Sequence, residues 1–209
     1  KLIVLAGPQY SRLSSHDIDT LLTASGSGIR FISSTDDVFG KLAGAHSGKE
    51  FSLGMISDSR YSDFDLYEES FRNACRRAGG TDGKLTVYPA MPLNADSLML
   101  SILDSYIDSG IDEAVNAFIV DDCSLDANEL KASLASLVSV TNERSVKYGK
   151  LISQDFRMAG TVDIVTSLCY DALRKGNLFT HNIAKPQVSI YYATPEPEGG
   201  RELYLVPGF

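Results

Sequence analysis

The sequence predicts an α/β protein with parallel sheets. Two observations carry that expectation. Short apolar runs alternate with amphipathic segments along the 209-residue chain, the pattern that builds parallel sheets with crossover helices. Three of the runs, "KLIVLAG", "GIRFIS" and "AVNAFIV", are apolar almost without a break, as strands covered by helices on both faces are.

The elements follow in order. Lys1–Pro8 reads as a strand closed by Gly7 and Pro8. Ser14 or Ser15 is placed to cap a helix over His16–Ser25 that stops at Gly26 and Gly28. Gly28–Thr35 reads as a strand and Asp37–Gly48 as a short helix ending in glycine. Glu50–Asp58 is a strand. The next helix is the strongest: Phe64, Tyr67, Phe71, Ala74, Cys75 and Ala78 keep a 3.6-residue spacing, and Gly79-Gly80 closes it. Lys84–Pro92 is a strand. Asn94 opens a helix with Leu98, Ile102, Leu103, Tyr106 and Ile107 on one face. The strand Ala114–Asp122, the helix Leu125–Val140 and the strand Lys150–Phe156 follow. Ala159–Asn177 is a helix with Val162, Val165, Leu168, Cys169, Ala172 and Leu173 inward. Gln187–Glu196 and Arg201–Pro207, joined by a Pro/Gly-rich tip, read as an antiparallel pair.

Composition excludes several functions. A net charge of −8 leaves no basic stripe for phosphates, so direct nucleic-acid binding is not expected. Arg72, Arg76 and Arg77 share their helix with Glu68 and Glu69 and read as a solvated face. Cys75, Cys123 and Cys169 form no CxxC pair, and His16, His46 and His181 show no metal spacing, so no metal or cofactor is expected. Cys75 and Cys169 read as core thiols. No apolar run is long enough to span a membrane.

Familiar motifs fail on inspection. "GKLAGAHSGKE", Gly40–Glu50, has three residues between Gly44 and Gly48, and Glu50 follows Lys49. A phosphate loop needs four residues there and then Ser or Thr. The stretch also leaves a helix and enters a strand, the reverse of the order that aims helix amides at a phosphate. Asp58–Glu69 imitates a calcium loop in length but has Arg60 and Ser62 at ligand positions and lacks the central glycine. "SSHDID" is explained by a helix start rather than by a triad.

Ligands of parallel sheets bind beyond the carboxyl ends of the strands. Those ends carry polar and aromatic groups, which suit a small polar ligand. The candidates are Tyr10, Ser34, Asp58, Arg60, Tyr61, Asp122, Gln154 and Phe156. Aromatic rings would stack on the ligand, while Asp and Arg would fix its hydroxyls. A hydrolytic alternative would use Asp121, Asp122 or Cys123, but no histidine adjoins them in the sequence to act as base.

Gln154, Asp155, Phe156 and Gly160, followed by Leu173, Gly176 and Asn177, resemble a segment of the type I periplasmic solute-binding proteins and the effector domains of LacI-like repressors. Phe71, Ala74 and Gly79 resemble a second segment of that family, and "AFIVDDCSLDANEL" a third. "FGKLAGAHSGKEFSLGMI" is similar to the basic-membrane-protein-like lipoproteins, a nucleoside-binding subgroup. The resemblance implies two Rossmann-like lobes with parallel sheets, a hinge and a ligand cleft between them. It implies a non-enzymatic protein that binds a sugar or nucleoside, periplasmic or anchored as a lipoprotein, with an ABC transporter permease as partner. The cytoplasmic alternative is the effector domain of a regulator. On this resemblance residues 1–48 are the remainder of an incomplete N-terminal lobe. Residues 49–156 are the C-terminal lobe, and 157–209 the crossover helix and closing strands.

Overall fold

A computed structural model describes residues 1–47, 50–58, 64–79, 83–110, 113–122, 124–139, 143–179, 191–195 and 203–207. For residues 8–15, 64, 66, 143, 191–195 and 203–207 it describes the backbone alone. The chain forms two compact units, Lys1–Leu178 and Phe179–Phe209.

The first unit begins β1 (Leu2–Leu5), α1 (Pro8–Ala24), β2 (Arg30–Ser33), α2 (Asp36–Ala45) and β3 (Ser52–Asp58). It continues α3 (Phe64–Arg77), β4 (Lys84–Ala90), α4 (Ala95–Asp108) and β5 (Val115–Asp121). It closes with α5 (Ala127–Ser139), α6 (Glu143–Leu151), β6 (Ile152–Gly160) and α7 (Thr161–Lys175). The second unit's described part is the antiparallel pair β7 (Tyr191–Pro195) and β8 (Leu203–Pro207).

The fold is α/β with parallel sheets. β1 pairs with β2, and four parallel strands run in the order β4-β3-β5-β6. β3 is central and carries the register, with Leu53 opposite both Leu85 and Ala117. Every residue from Ser52 to Ser57 is buried, as a strand flanked by strands and covered on both faces must be.

Alternation along β3 and β5 separates two cores. Ile56, Phe118 and Val120 face one way, against Leu98, Met99, Ile102 and Leu103 of α4 and Leu130 and Leu134 of α5. Leu53, Met55, Ala117 and Ile119 face the other way, against Val38 and Phe39 of α2, Tyr67 and Phe71 of α3 and Ile164 of α7. Gly54 lies where a Cβ would collide with the Phe118 ring, so the close approach of β3 and β5 requires glycine there. Polar ties fix the helices of the second layer. Ser70 of α3 donates to Asp36 of α2, and Lys41 of α2 reaches Ser167 of α7 at 2.6 Å.

The structure corrects four local expectations. α1 begins at Pro8, well before Ser14, because proline's fixed φ suits a first helical position as well as it closes a strand. β1 is not covered on both faces: Ile3 and Val4 are 40% and 41% exposed, and β2 is its one strand partner among the described residues. α6 extends through Leu151, so the following strand starts later and runs to Gly160. Val162 does not point inward but is 68% exposed, while Ile164 takes the buried position. Cys75 is buried, as expected of a core thiol, and Cys169 is half-buried. Among the described residues no helix is long and apolar enough to cross a membrane.

Candidate functional site

The strand order creates a switch point. From β3 the chain passes to β4 on one side, then returns across β3 to place β5 on the other. The helix after β3 therefore packs on one face and the helix after β5 on the opposite face, α3 in one core and α5 in the other. The helices diverge, and a crevice opens beyond the carboxyl ends of β3 and β5. Ser57 and Asp121 are paired in register near those ends.

A cleft of about 840 Å³ is walled by the ends of β1, β2, β5 and β6 and the starts of α5 and α7. Gly7 and Ser34 form one side, where Gly7 N donates to Ser34 Oγ at 3.0 Å. Asp121 and Asp122 form the other. Val120, Leu125, Val162 and Val165 supply apolar wall.

A buried chain of hydroxyls holds Asp121. Tyr67 of α3 is fully buried, and its hydroxyl donates to Asp121 Oδ2 at 3.0 Å. Ser57 Oγ lies 3.0 Å from the same phenol, and because Tyr67 spends its proton on the carboxylate, Ser57 is the donor to it. Desolvation pushes the Asp121 carboxyl above the usual carboxylate range, and the Asp122 charge adds to the rise. Thr161 and Tyr67 pull it back. Thr161 Oγ1 is buried and makes no hydrogen bond of ordinary geometry, though it lies near enough to favour the charged form. Tyr67 is itself held well above its ordinary value, chiefly by burial and then by the Asp121 charge. A partly buried carboxylate with a raised pKa, braced by donors at a strand end, is a candidate functional group.

Asp122 is half-buried, and its Oδ1 accepts from Ser124 N at 2.8 Å and Ser124 Oγ at 2.6 Å. Asp126 Oδ1 accepts from Asn128 N at 2.8 Å, at the entry to α5. Gly160 precedes α7, and no side chain caps that helix.

Of the residues singled out in the sequence, Ser34 and Asp122 meet in this cleft. Asp58 ends β3 and adds its charge to the surroundings of Tyr67. Tyr10 falls in the first turns of α1, where its side chain is outside the described residues. Arg60, Tyr61 and Cys123 also lie outside them. Gln154 is exposed in the amino-terminal half of β6, where the register with β5 shifts. Phe156 is half-buried there and packs edge-on against Phe118, with centroids 5.8 Å apart. The structure does not bring Gln154 or Phe156 to the cleft, because β6 ends at Gly160 rather than at Phe156.

Asp121 entered the sequence reading as a strand-end carboxylate and a possible catalytic group, not among the chosen ligand residues, and Thr161 did not enter it. Thr161 becomes visible as a strand-end residue only once the end of β6 is placed correctly. Among the described residues no cluster of His, Cys, Asp and Glu is arranged to hold a metal ion. Comparison of the chain with protein-family models, curated proteins and solved structures returns no match.

Proposed function

We propose that this chain is a non-enzymatic binding protein that holds a small polar ligand in the cleft beyond β1, β2, β5 and β6. The carrying observation is the convergence of Ser34, Asp121 and Asp122 on one cleft beyond the carboxyl ends of parallel strands. Its size, about 840 Å³, suits one small molecule. Asp121 and Asp122 accept from donors on the ligand, Ser34 offers a hydroxyl, and the valines cover its apolar face. The resemblance to type I periplasmic solute-binding proteins supports the same reading, with an extracytoplasmic role in ABC-type uptake or sensing. On it, the β1–β2 side belongs to one lobe and the four-stranded sheet to the other.

A thermal-shift screen of sugars, nucleosides and amino acids tests the reading. A ligand at about 100 times its Kd stabilises the native state by roughly 2.7 kcal/mol, which is readily seen as a rise in Tm. Asp122→Asn and Ser34→Ala should reduce the shift. Absence of any shift at millimolar concentrations would count against the proposal.

A further inference from the structure

We infer that the outer face of α7 is a homodimer seam, against which a second copy of this chain packs its own α7 antiparallel. Nothing in this seam depends on the ligand reading.

The inner side of α7 turns Thr161 and Ile164 to the interior, with Leu168 half-buried against the same core. The outer side is bare. Val162, Thr166, Cys169, Tyr170 and Leu173 follow the three- and four-residue steps that set side chains on one helix face. Val162 is 68% exposed and Tyr170 57%, while Cys169 and Leu173 are half-buried. Leu178 lengthens the stripe. Asn177 takes a φ of 50°, and Leu178 N donates to Leu173 O at 2.9 Å, the closure that folds the chain back against a helix end. Leu178 is held there and is still 41% exposed. Apolar residues scattered singly on a surface are ordinary, but a row of them along one ordered helix marks an interaction face.

Charge decides what covers the stripe. Asp163 lies in the first turn of α7 and Arg174 in the last, both exposed. About three helical turns separate them, so they share one flank. Asp171 and Ser167 are turned to Lys41 of α2 instead. In a parallel pair of α7 helices like charges would meet at each end. In an antiparallel pair Asp163 of one protomer meets the partner's Arg174, and a twofold axis repeats the contact. Nearly the same register sets Val162 against the partner's Leu173 and Cys169 against the partner's Thr166. The small residues fall at the centre, where they let the helices approach, and the larger ones fill the ends. The 15 residues of α7 span about 22 Å. One helix pair of that length makes a small interface, so a dissociation constant of about 1–100 μM is expected.

Sedimentation equilibrium of the full chain from about 1 μM to about 1 mM brackets that affinity. The salt is held at about 0.15 M, where the net charge of −8 on each copy is screened beyond about 8 Å. The chain should dimerise. Tyr170→Lys and Leu173→Lys should each weaken the dimer at least roughly tenfold by setting an unpaired charge in the seam. Asp163→Arg and Arg174→Asp should each weaken it about three- to tenfold, and the double variant, which restores opposite charges, should recover most of the loss. In a Cys123→Ser background a bismaleimide should join two chains, and Cys169→Ser should abolish the product. Circular dichroism checks folding; if Leu173→Lys is unfolded, Tyr170→Lys decides, at a position 57% exposed. A chain that stays monomeric up to about 1 mM overturns the seam. A dimer that Tyr170→Lys leaves intact overturns it too, since the contact then lies on another face. Failure of the double charge variant to recover affinity, or a crosslink that persists in Cys169→Ser, overturns the antiparallel arrangement.

Discussion

The Tyr67 hydroxyl donates to Asp121 Oδ2 across 3.0 Å, joining α3 to the end of β5 through the buried side of the cleft. Tyr67 thereby holds one oxygen of the carboxylate. Tyr67→Phe removes this donor and strands Ser57 Oγ, so it should destabilise by about 1–3 kcal/mol. It should also raise the Asp121 pKa further, because the Tyr67 donor favours the charged form. Urea unfolding and carboxyl NMR titration read the two effects.

Tyr88→Phe makes the same chemical change with the opposite expectation. The Tyr88 hydroxyl is buried without a hydrogen bond, and burial pushes its pKa well up. Its ring packs edge-on to Phe118, with centroids 6.1 Å apart, and phenylalanine keeps that contact. Losing an unsatisfied hydroxyl should leave stability unchanged or raise it by up to about 1 kcal/mol. A fall in the urea midpoint would show that the hydroxyl has a partner after all.

Asp121→Asn should stabilise the protein at neutral pH. The folded-state pKa of Asp121 is raised, so the fold favours the protonated carboxyl. The corresponding stability is present below the ordinary carboxylate pKa and is lost as pH rises through the folded value. Asparagine keeps an acceptor for Tyr67 and carries no charge. The variant's advantage in Tm should therefore be small at acid pH and grow to a few degrees at pH 7, at about 2–4 °C per kcal/mol for a chain of this size. An advantage that is flat with pH refutes the assignment.

Gly54→Ala sets a Cβ against the Phe118 ring. It should cost about 1–3 kcal/mol, as overpacking a closed core does. Adding Phe118→Leu should recover part of the loss, since the ring is the obstacle. Denaturation midpoints of the two single variants and the double variant give the coupling.

Asn94→Ala removes the N-cap of α4, whose side chain accepts from Ser97 N at 2.8 Å. The expected cost is about 1 kcal/mol, and Asn94→Asp should restore it. Equal stability of all three would show that the cap is idle.

Much of the fold is legible because periodicity and caps agree in it. α3 reads directly from Phe64, Tyr67, Phe71, Ala74 and Cys75, and α4 from Asn94 and the stripe behind it. The parallel sheet follows from apolar runs such as Phe118–Val120, buried from both sides. Errors arise where one residue serves two grammars. Pro8 closes a strand and opens a helix equally well. Leu151 and Ile152 are both apolar, so nothing local marks where α6 yields to β6. The far end of that strand, at Gly160 rather than Phe156, displaced the expected ligand residues to Gln154 and Phe156 and hid Thr161. Ser34 and Asp122 were legible because β2 and β5 end where a polar pair breaks an apolar run. The Tyr67–Asp121 contact was not, because it links residues 54 positions apart, and no local pattern encodes it.

The placement of β3 between β4 and β5 also sets a timetable for synthesis. Ser52 N donates to Asn116 Oδ1 at 2.7 Å, a partner 64 residues downstream. As the chain leaves the ribosome, β4 emerges before β5 and is the first partner available to β3. The other edge of β3 stays open until β5 has emerged. Leu53, Met55 and Ile56, almost wholly buried in the finished protein, spend that interval beside an unpaired strand edge. Long-range parallel pairing is slow, and open edges of this kind invite association with other chains. Yield during expression should therefore depend on how quickly residues 59–121 are made and folded, and slowing translation there should increase aggregation without altering the stability of the finished molecule.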